Sequence, residues 1–364
     1  MIEVLHFGLS DNRGGIETYI KKIWDHIDHS AFRFSFIDMT GDNKRPCFYD
    51  ELSESGCRFF KITPRKVSFW RNREDINKLF SDNHFDILHF SVNTLSYIYP
   101  VEVALKNGCR VIVHSRSALA SNRITRIIHY LNRIRINHLK VAKIAISREA
   151  GKWLFGNAEF LIYPNGVDTE AFAFNGTSRD NIRTVFKCEG KDIIGHVGSF
   201  LPVKNHEFML EVFSNYTKRN SNAVLWFVGD GPLKREMEGI AKQKKIENKV
   251  FFLGECQNVS EIYDAMDMLW FPSLFEGLGN VVLEAECKGL PCLISDKVPK
   301  STMVLENVYS FSLNETIDRW SDMLDFVLSQ RVDDRFKCKL ILSEKGWSVQ
   351  KEVEKLELLY HTIV

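Results

Sequence analysis

The feature that most constrains this chain is a recurrent alternation: a short apolar run, a turn, then a stretch with helical apolar spacing. Apolar runs occur at 2–7, 32–39, 58–62, 87–90, 110–114 and 143–146, with helical stretches between them. The pattern restarts at 192–200 and continues through a strand at 223–228, the turn Gly229-Asp230-Gly231-Pro232 and a helix at 233–244. A strand at 250–253 and a helix at 259–266 follow. Short strands alternating with helices predict parallel, doubly wound sheets of the α/β class. With 364 residues the chain exceeds one ordinary core, so two domains are expected. The boundary is placed at Pro164-Asn165-Gly166-Val167-Asp168, where a strand end meets turn chemistry ahead of a polar stretch at 174–183. That gives domains 1–165 and 166–344. The tail at 343–360 is read as one charged helix with Val349, Val353, Leu356 and Leu359/Tyr360 on one face.

Within this frame the stretch 270–294 carries the most chemistry. An apolar run ends at Pro272 and the chain turns through Gly277 and Gly279. A helix begins at about Asn280 and closes at Gly289, and a second apolar run follows Pro291. Glu276 and Glu284 bracket the helix start, whose first N–H groups are a seat for a phosphate. A carboxylate on each side of an anion seat suits a ligand with hydroxyls on both sides of a phosphate. A nucleotide sugar has that layout.

Other candidates stand with two readings each. Gly14-Gly15 ends the first strand-to-helix turn, either as a second anion seat or only as a tight turn; it lacks the GxGxxG dinucleotide fingerprint. His114 ends a strand, where open α/β sheets place ligands, or it is a satisfied structural histidine. Lys204 precedes a helix at 207–213, where it neutralises a diphosphate or is an ordinary exposed lysine. There is no DxD sequence and no His/Cys cluster with zinc spacing, so neither a metal nor another cofactor is expected.

Composition narrows the partners. The net charge of +1 argues against nucleic acid, and 45% hydrophobic with 26% charged residues is ordinary for a soluble globular protein. The eight cysteines show no CxxC spacing, which predicts buried free thiols in a reducing cytosol. No apolar run approaches the roughly 20 residues that span a bilayer, and no secretory leader is visible. A cytoplasmic protein is expected, with any membrane contact peripheral. The segment 103–148 is the exception to balanced charge. It holds ten basic residues (106, 110, 116, 123, 126, 133, 135, 140, 143, 148) and no acidic one. Within it Ile124, Ile127, Ile128, Leu131 and Ile134 form a helical stripe. The stripe is read either as core-facing beneath a solvated basic face or as a surface resting on anionic lipid. Each basic group near such a surface contributes about 1 kcal/mol.

Taken together, these motifs resemble family 4 glycosyltransferases of the GT-B fold, closest to the bacterial exopolysaccharide and capsule enzymes. The resemblance runs nearly end to end. It rests on Gly14-Gly15-Ile16-Glu17, the stretch 147–156, Pro164-Asn-Gly-Val-Asp168, and Gly195-His-Val-Gly-Ser-Phe200 with Lys204-Asn-His206. Gly229-Asp-Gly-Pro232 and Glu276 separated by seven residues from Glu284 complete it. It implies two Rossmann-like domains facing a central cleft, with a C-terminal helix at 345–364 packing back on the first. It implies that Glu276 contacts the donor sugar near its reacting end and that Glu284 accepts from the ribose. The amides of Gly279, Asn280 and Val281 would cradle the diphosphate, with Gly15 approaching from the other domain. Lys204 would supply charge to the leaving phosphate, and His114 would touch the sugar.

The implied activity is retaining, metal-independent transfer of a hexose or N-acetylhexosamine from a nucleotide-diphosphate sugar, UDP being the expected nucleotide. The implied acceptor is lipid-linked or a polysaccharide. One position departs from the pattern: the family's usual arginine is Ser199, which can donate a hydrogen bond but no charge. Losing a preorganised donor of this kind costs about 3–4 kcal/mol of transition-state stabilisation. Either Arg13 or Lys300 substitutes, or the protein is a catalytically weak sugar-nucleotide-binding partner or sensor. A nucleotide-sugar epimerase fits less well, because the Glu276/Glu284 spacing belongs to transferases.

Overall fold

The structure, a computed structural model, describes residues 1–12, 14–117, 123–256, 258–331 and 334–364. The chain divides into two compact units, unit 1 (1–165 with 349–364) and unit 2 (166–348).

Unit 1 is a sheet of seven strands: β1 (Ile2–Phe7), β2 (Phe32–Asp38), β3 (Arg58–Lys61), β4 (Ile87–Val92), β5 (Arg110–Ser115), β6 (Ala142–Ala145) and β7 (Leu161–Ile162). All its pairings are parallel, in the order β3-β2-β1-β4-β5-β6-β7. Unit 2 repeats the scheme with β8 (Asp192–Val197), β9 (Ala223–Val228), β10 (Val250–Gly254), β11 (Met268–Phe271), β12 (Cys292–Ser295) and β13 (Val308–Phe311). These are parallel in the order β10-β9-β8-β11-β12-β13. Both units are thus Rossmann-like, and each sheet is covered on both faces by apolar clusters. Burial on both faces explains why the strands read as continuous apolar runs rather than alternating ones.

The strand order reverses between β1 and β4 in unit 1 and between β8 and β11 in unit 2. Ligands of open α/β sheets bind beyond the C-terminal strand ends at such a reversal. Helix starts gather at that edge. The helix Gly15–His26 follows β1 and buries Tyr19, Ile20, Ile23 and Trp24 on one face.

One expectation is corrected and one of two open readings is decided. The tail is not one helix from 343. The helix Cys338–Glu344 ends, Gly346 takes a left-handed turn at φ 83°, and a new helix runs Val349–Ile363. Residues 345–348 therefore stay with unit 2, where Ser348 bridges to Val167, and only 349–364 belong to unit 1. Second, the apolar stripe of the basic segment does not face the core. On the helix Arg123–His138 the buried residues are His129 and Ile136, whereas Ile124, Ile127, Leu131 and Ile134 are 59–72% exposed. The inner face is held by polar bonds: Asn132 donates to the Leu95 carbonyl (2.6 Å) and Asn137 to that of Phe155 (2.9 Å).

Candidate functional site

In unit 2 the strand-order reversal brings together the residues that follow β8 and β11. After β8 the chain passes Gly198 and the exposed Ser199, then forms a 3-10 turn, Pro202–Lys204. After β11 it runs through Pro272 to Glu276. The two loops are tied: Leu274 N–H donates to the Val203 carbonyl (2.8 Å), and the Asn205 side chain donates to that of Pro272 (3.1 Å). That strapping sets Lys204 Nζ 2.6 Å from Glu276 Oε1, with side chains only 16% and 13% exposed. Lys204 also lies over the Phe271 ring, 4.6 Å from its centre. The two residues form an ion pair, which their spacing in the sequence does not state.

The β8 loop owes its shape to Gly229, at φ 133°, after β9. A Cβ there would lie 2.2 Å from the Gly198 carbonyl oxygen, so only glycine allows this approach. Phe200 N–H donates to the Asp230 carbonyl and Gly198 N–H to that of Val228, both at 2.9 Å.

Three residues beyond Glu276, Gly279 caps the helix Asn280–Cys287, so Asn280 and Val281 supply its first N–H groups. Glu284, one turn in, accepts from the Tyr263 hydroxyl (3.0 Å). Tyr263 is wholly buried, and burial together with the neighbouring Glu284 carboxylate pushes its phenol far above the ordinary range. It therefore acts as a donor that fixes Glu284. Sequence reasoning missed Tyr263, which looks like a core aromatic on the helix Val259–Ala265. Its hydroxyl has no sequence signal.

Of the two cations expected to compensate for Ser199, Arg13 lies outside the described residues. Lys300 is exposed and opens the 3-10 turn Lys300–Thr302. This turn adjoins the helix start, since a Cβ on Gly279 would lie 3.6 Å from Thr302 Cγ2. Lys300 makes no ion pair among the described residues.

His114 and Gly15 belong to unit 1. Gly15 opens its helix with nothing within 4 Å of where a Cβ would sit. Glu17 folds back from the first turn to accept from Ser10 N–H (3.1 Å) and its hydroxyl (2.6 Å). His114 is wholly buried and both its ring nitrogens are engaged, Nδ1 with His89 Nε2 (3.0 Å) and Nε2 with Arg116 Nη1 (3.2 Å). Because a guanidinium can only donate, His114 Nε2 accepts; Nδ1–H then donates to His89, whose own Nδ1–H donates to Tyr360 Oη at 2.7 Å. Burial, and after it the Arg116 charge, drive His114 well below the ordinary histidine range, so the imidazole is neutral. It is not the open side chain expected at a sugar. The group it holds is Arg116, 6% exposed and stacked 3.7 Å from the centre of the Tyr19 ring.

Among the described residues no group of three His, Cys, Asp or Glu could hold a metal ion, and no helix is long and apolar enough to cross a membrane.

Residues 178–339 match the family model for glycosyl transferases group 1. EpsF of Bacillus subtilis (strain 168), named as a glycosyltransferase, is 30% identical over 98% of this chain and 96% of its own. CapH of Staphylococcus aureus, a capsular polysaccharide biosynthesis glycosyltransferase, is 26% identical over 91% of this chain and 92% of its own. Among solved structures, Alr3699/HepE of Anabaena in complex with UDP superposes with a TM-score of 0.82 at 15% identity, covering 100% of both chains. At that identity the likeness speaks for the fold alone.

Proposed function

The chain belongs to the group 1 glycosyl transferases, and we propose that it moves a hexose or N-acetylhexosamine from a UDP-sugar to a lipid-linked or polysaccharide acceptor in capsule or exopolysaccharide synthesis. The finer assignment to family 4, with retention of anomeric configuration and no metal, belongs to the same proposal. UDP is favoured because the HepE neighbour binds it.

The observation that carries the reading is the Lys204–Glu276 pair beside a helix start, at the edge where the strand order of unit 2 reverses. On this reading the first N–H groups at Gly279, Asn280 and Val281 take the diphosphate, and Glu284, held by Tyr263, accepts from the ribose. Glu276 releases Lys204 to the phosphates and turns to the sugar hydroxyls. Charge then develops on the departing diphosphate next to Lys204, where preorganised donors act most strongly. In a retaining front-side reaction that phosphate also takes the acceptor proton, so no separate base is required. Lys300 supplies the cation that Ser199 does not. Gly15 lets a ligand approach the first helix of unit 1, and His114 acts by positioning Arg116.

Release of UDP from a panel of UDP-sugars tests the proposal, with Glu276→Ala expected to abolish release while UDP still binds. Tight UDP-sugar binding without turnover by the wild type would favour the sensor instead, the reading that Ser199 supports.

A further inference from the structure

We propose that unit 1 carries a docking surface for an anionic lipid bilayer, built from two elements far apart in sequence. The first is the helix Arg123–His138, which turns its polar side inward. His129 stacks on Trp153 with ring centres 4.3 Å apart, accepts from Leu95 N–H (3.1 Å) and donates to the Trp153 carbonyl (3.1 Å). Its outward face presents Ile124 (72% exposed), Ile127 (60%), Leu131 (60%) and Ile134 (59%) as one stripe. A contiguous apolar stripe of this kind on a folded surface marks an interaction site.

The second element has no apolar periodicity to announce it. At the start of the helix Phe69–Asp82, Val67 and Trp70 are 75% and 74% exposed and Phe69 is 47% exposed. Arg65, Lys66, Arg71 and Arg73 surround them, and 65–73 contains no acidic residue. Both elements are fastened to the loop after β4. Arg65 donates to the Ser96 carbonyl (3.3 Å) and stacks 4.8 Å from the Tyr97 ring centre, while Leu95 donates its N–H to His129 and accepts at its carbonyl from Asn132. Both helices follow C-terminal strand ends of the same sheet, β3 and β5, so the two patches share one edge.

Charge selects the occupant. Arg123, Arg126 and Arg133 flank the stripe with no carboxylate on the helix. Arg135, whose side chain is 60% exposed, is already paired with Glu102. A second copy of this chain docked on the same patch would set arginine against arginine. A nucleic acid would leave the aliphatic stripe unused. An anionic bilayer takes the aliphatic side chains at its acyl boundary, the arginines among its headgroups and the aromatic residues between. This surface goes beyond the transfer reading and does not depend on it.

Co-sedimentation with phosphatidylcholine vesicles, with and without phosphatidylglycerol, is the test. The wild type is expected to sediment only with the phosphatidylglycerol vesicles and to be released by high salt. Replacing Arg123, Arg126 and Arg133 with Glu should lower the bound-to-free ratio by roughly a hundredfold or more, at about fivefold for each basic group lost. Ile127→Asp with Leu131→Asp, and separately Trp70→Ala, should each reduce binding. Phe326→Asp, at a 45% exposed site in unit 2, should not. UDP release from UDP-glucose without vesicles should be unchanged in all of them; loss of release in the wild type would count against the transfer reading alone. Failure of the wild type to bind anionic vesicles, or binding indifferent to the variants, would overturn the proposal. So would light scattering that shows a dimer converted to monomer by the stripe variant.

Discussion

Replacing Glu276 with Gln separates two properties that a simple contact residue would lose together. Glu276 is the partner of a lysine, so removing its charge leaves Lys204 uncompensated. Two unit charges about 4 Å apart attract by about 4 kcal/mol at an effective dielectric near 20. Deleting one member of a buried pair costs about 3–5 kcal/mol. Here the side chains keep 16% and 13% exposure and the amide still accepts a hydrogen bond, so a loss of about 2 kcal/mol is expected. For a unit of this size that is a fall of roughly 4–8 °C in Tm. The same change frees Lys204 for an anion, because UDP no longer displaces a carboxylate. UDP should therefore bind more tightly, by about 1–2 kcal/mol or roughly tenfold. Sugar release should fall by at least about a hundredfold, since the carboxylate at the reacting end is gone. Calorimetric titration with UDP, thermal unfolding and UDP-sugar turnover read the three effects on one sample. Weaker UDP binding by the variant would refute the competition between carboxylate and diphosphate, and unchanged turnover would refute the site.

Other consequences are open to direct measurement. Glu286 is buried and accepts from Val304 and Leu305 N–H; burial pushes its carboxyl up to about 8, so it is protonated at neutral pH. A raised folded-state value means the folded chain holds a proton that the unfolded one has lost, so stability falls as pH rises from about 4.5 to 8. Glu286→Gln should remove that dependence and recover roughly 3–5 kcal/mol by pH 9, read from denaturant midpoints across pH. Gly229→Ala should cost more than about 3 kcal/mol, since its Cβ would strike the Gly198 carbonyl at 2.2 Å, and circular dichroism melts will report it. Lys300→Ala should lower kcat by roughly a hundredfold if this lysine replaces the missing arginine, whereas Lys297→Ala should leave it unchanged.

Strand positions were legible in the sequence because parallel strands buried on both faces leave continuous apolar runs, as at Ala223–Val228. The helix Asn280–Cys287 was legible because Gly279 and Gly289 punctuate it. What escaped were the relations between loops. Nothing in the spacing of Lys204 and Glu276, 72 residues apart, states that they pair; that follows from β8 lying beside β11. His114 kept two readings in the sequence because its burial depends on His89 and Tyr360, from a neighbouring strand and a distant helix. The stripe on Arg123–His138 has ordinary amphipathic spacing. Periodicity reports that a helix has two faces but not which faces inward, and here three polar side chains decide it.

The helix Val349–Ile363 completes unit 1 by burying Val349, Val353, Leu356 and Tyr360 in a cluster shared with β1 and β2. The ribosome therefore delivers the last piece of the first sheet's core only after all of unit 2 has been made. Domains generally fold as they emerge, N-terminal first. In this chain the order is inverted: unit 2 has every residue it needs while unit 1 still lacks a helix, and its apolar cluster stays partly uncovered. A nascent chain stalled between 348 and 363 should engage chaperones through unit 1, and the hydroxyl of Tyr360 closes that interval when it meets His89.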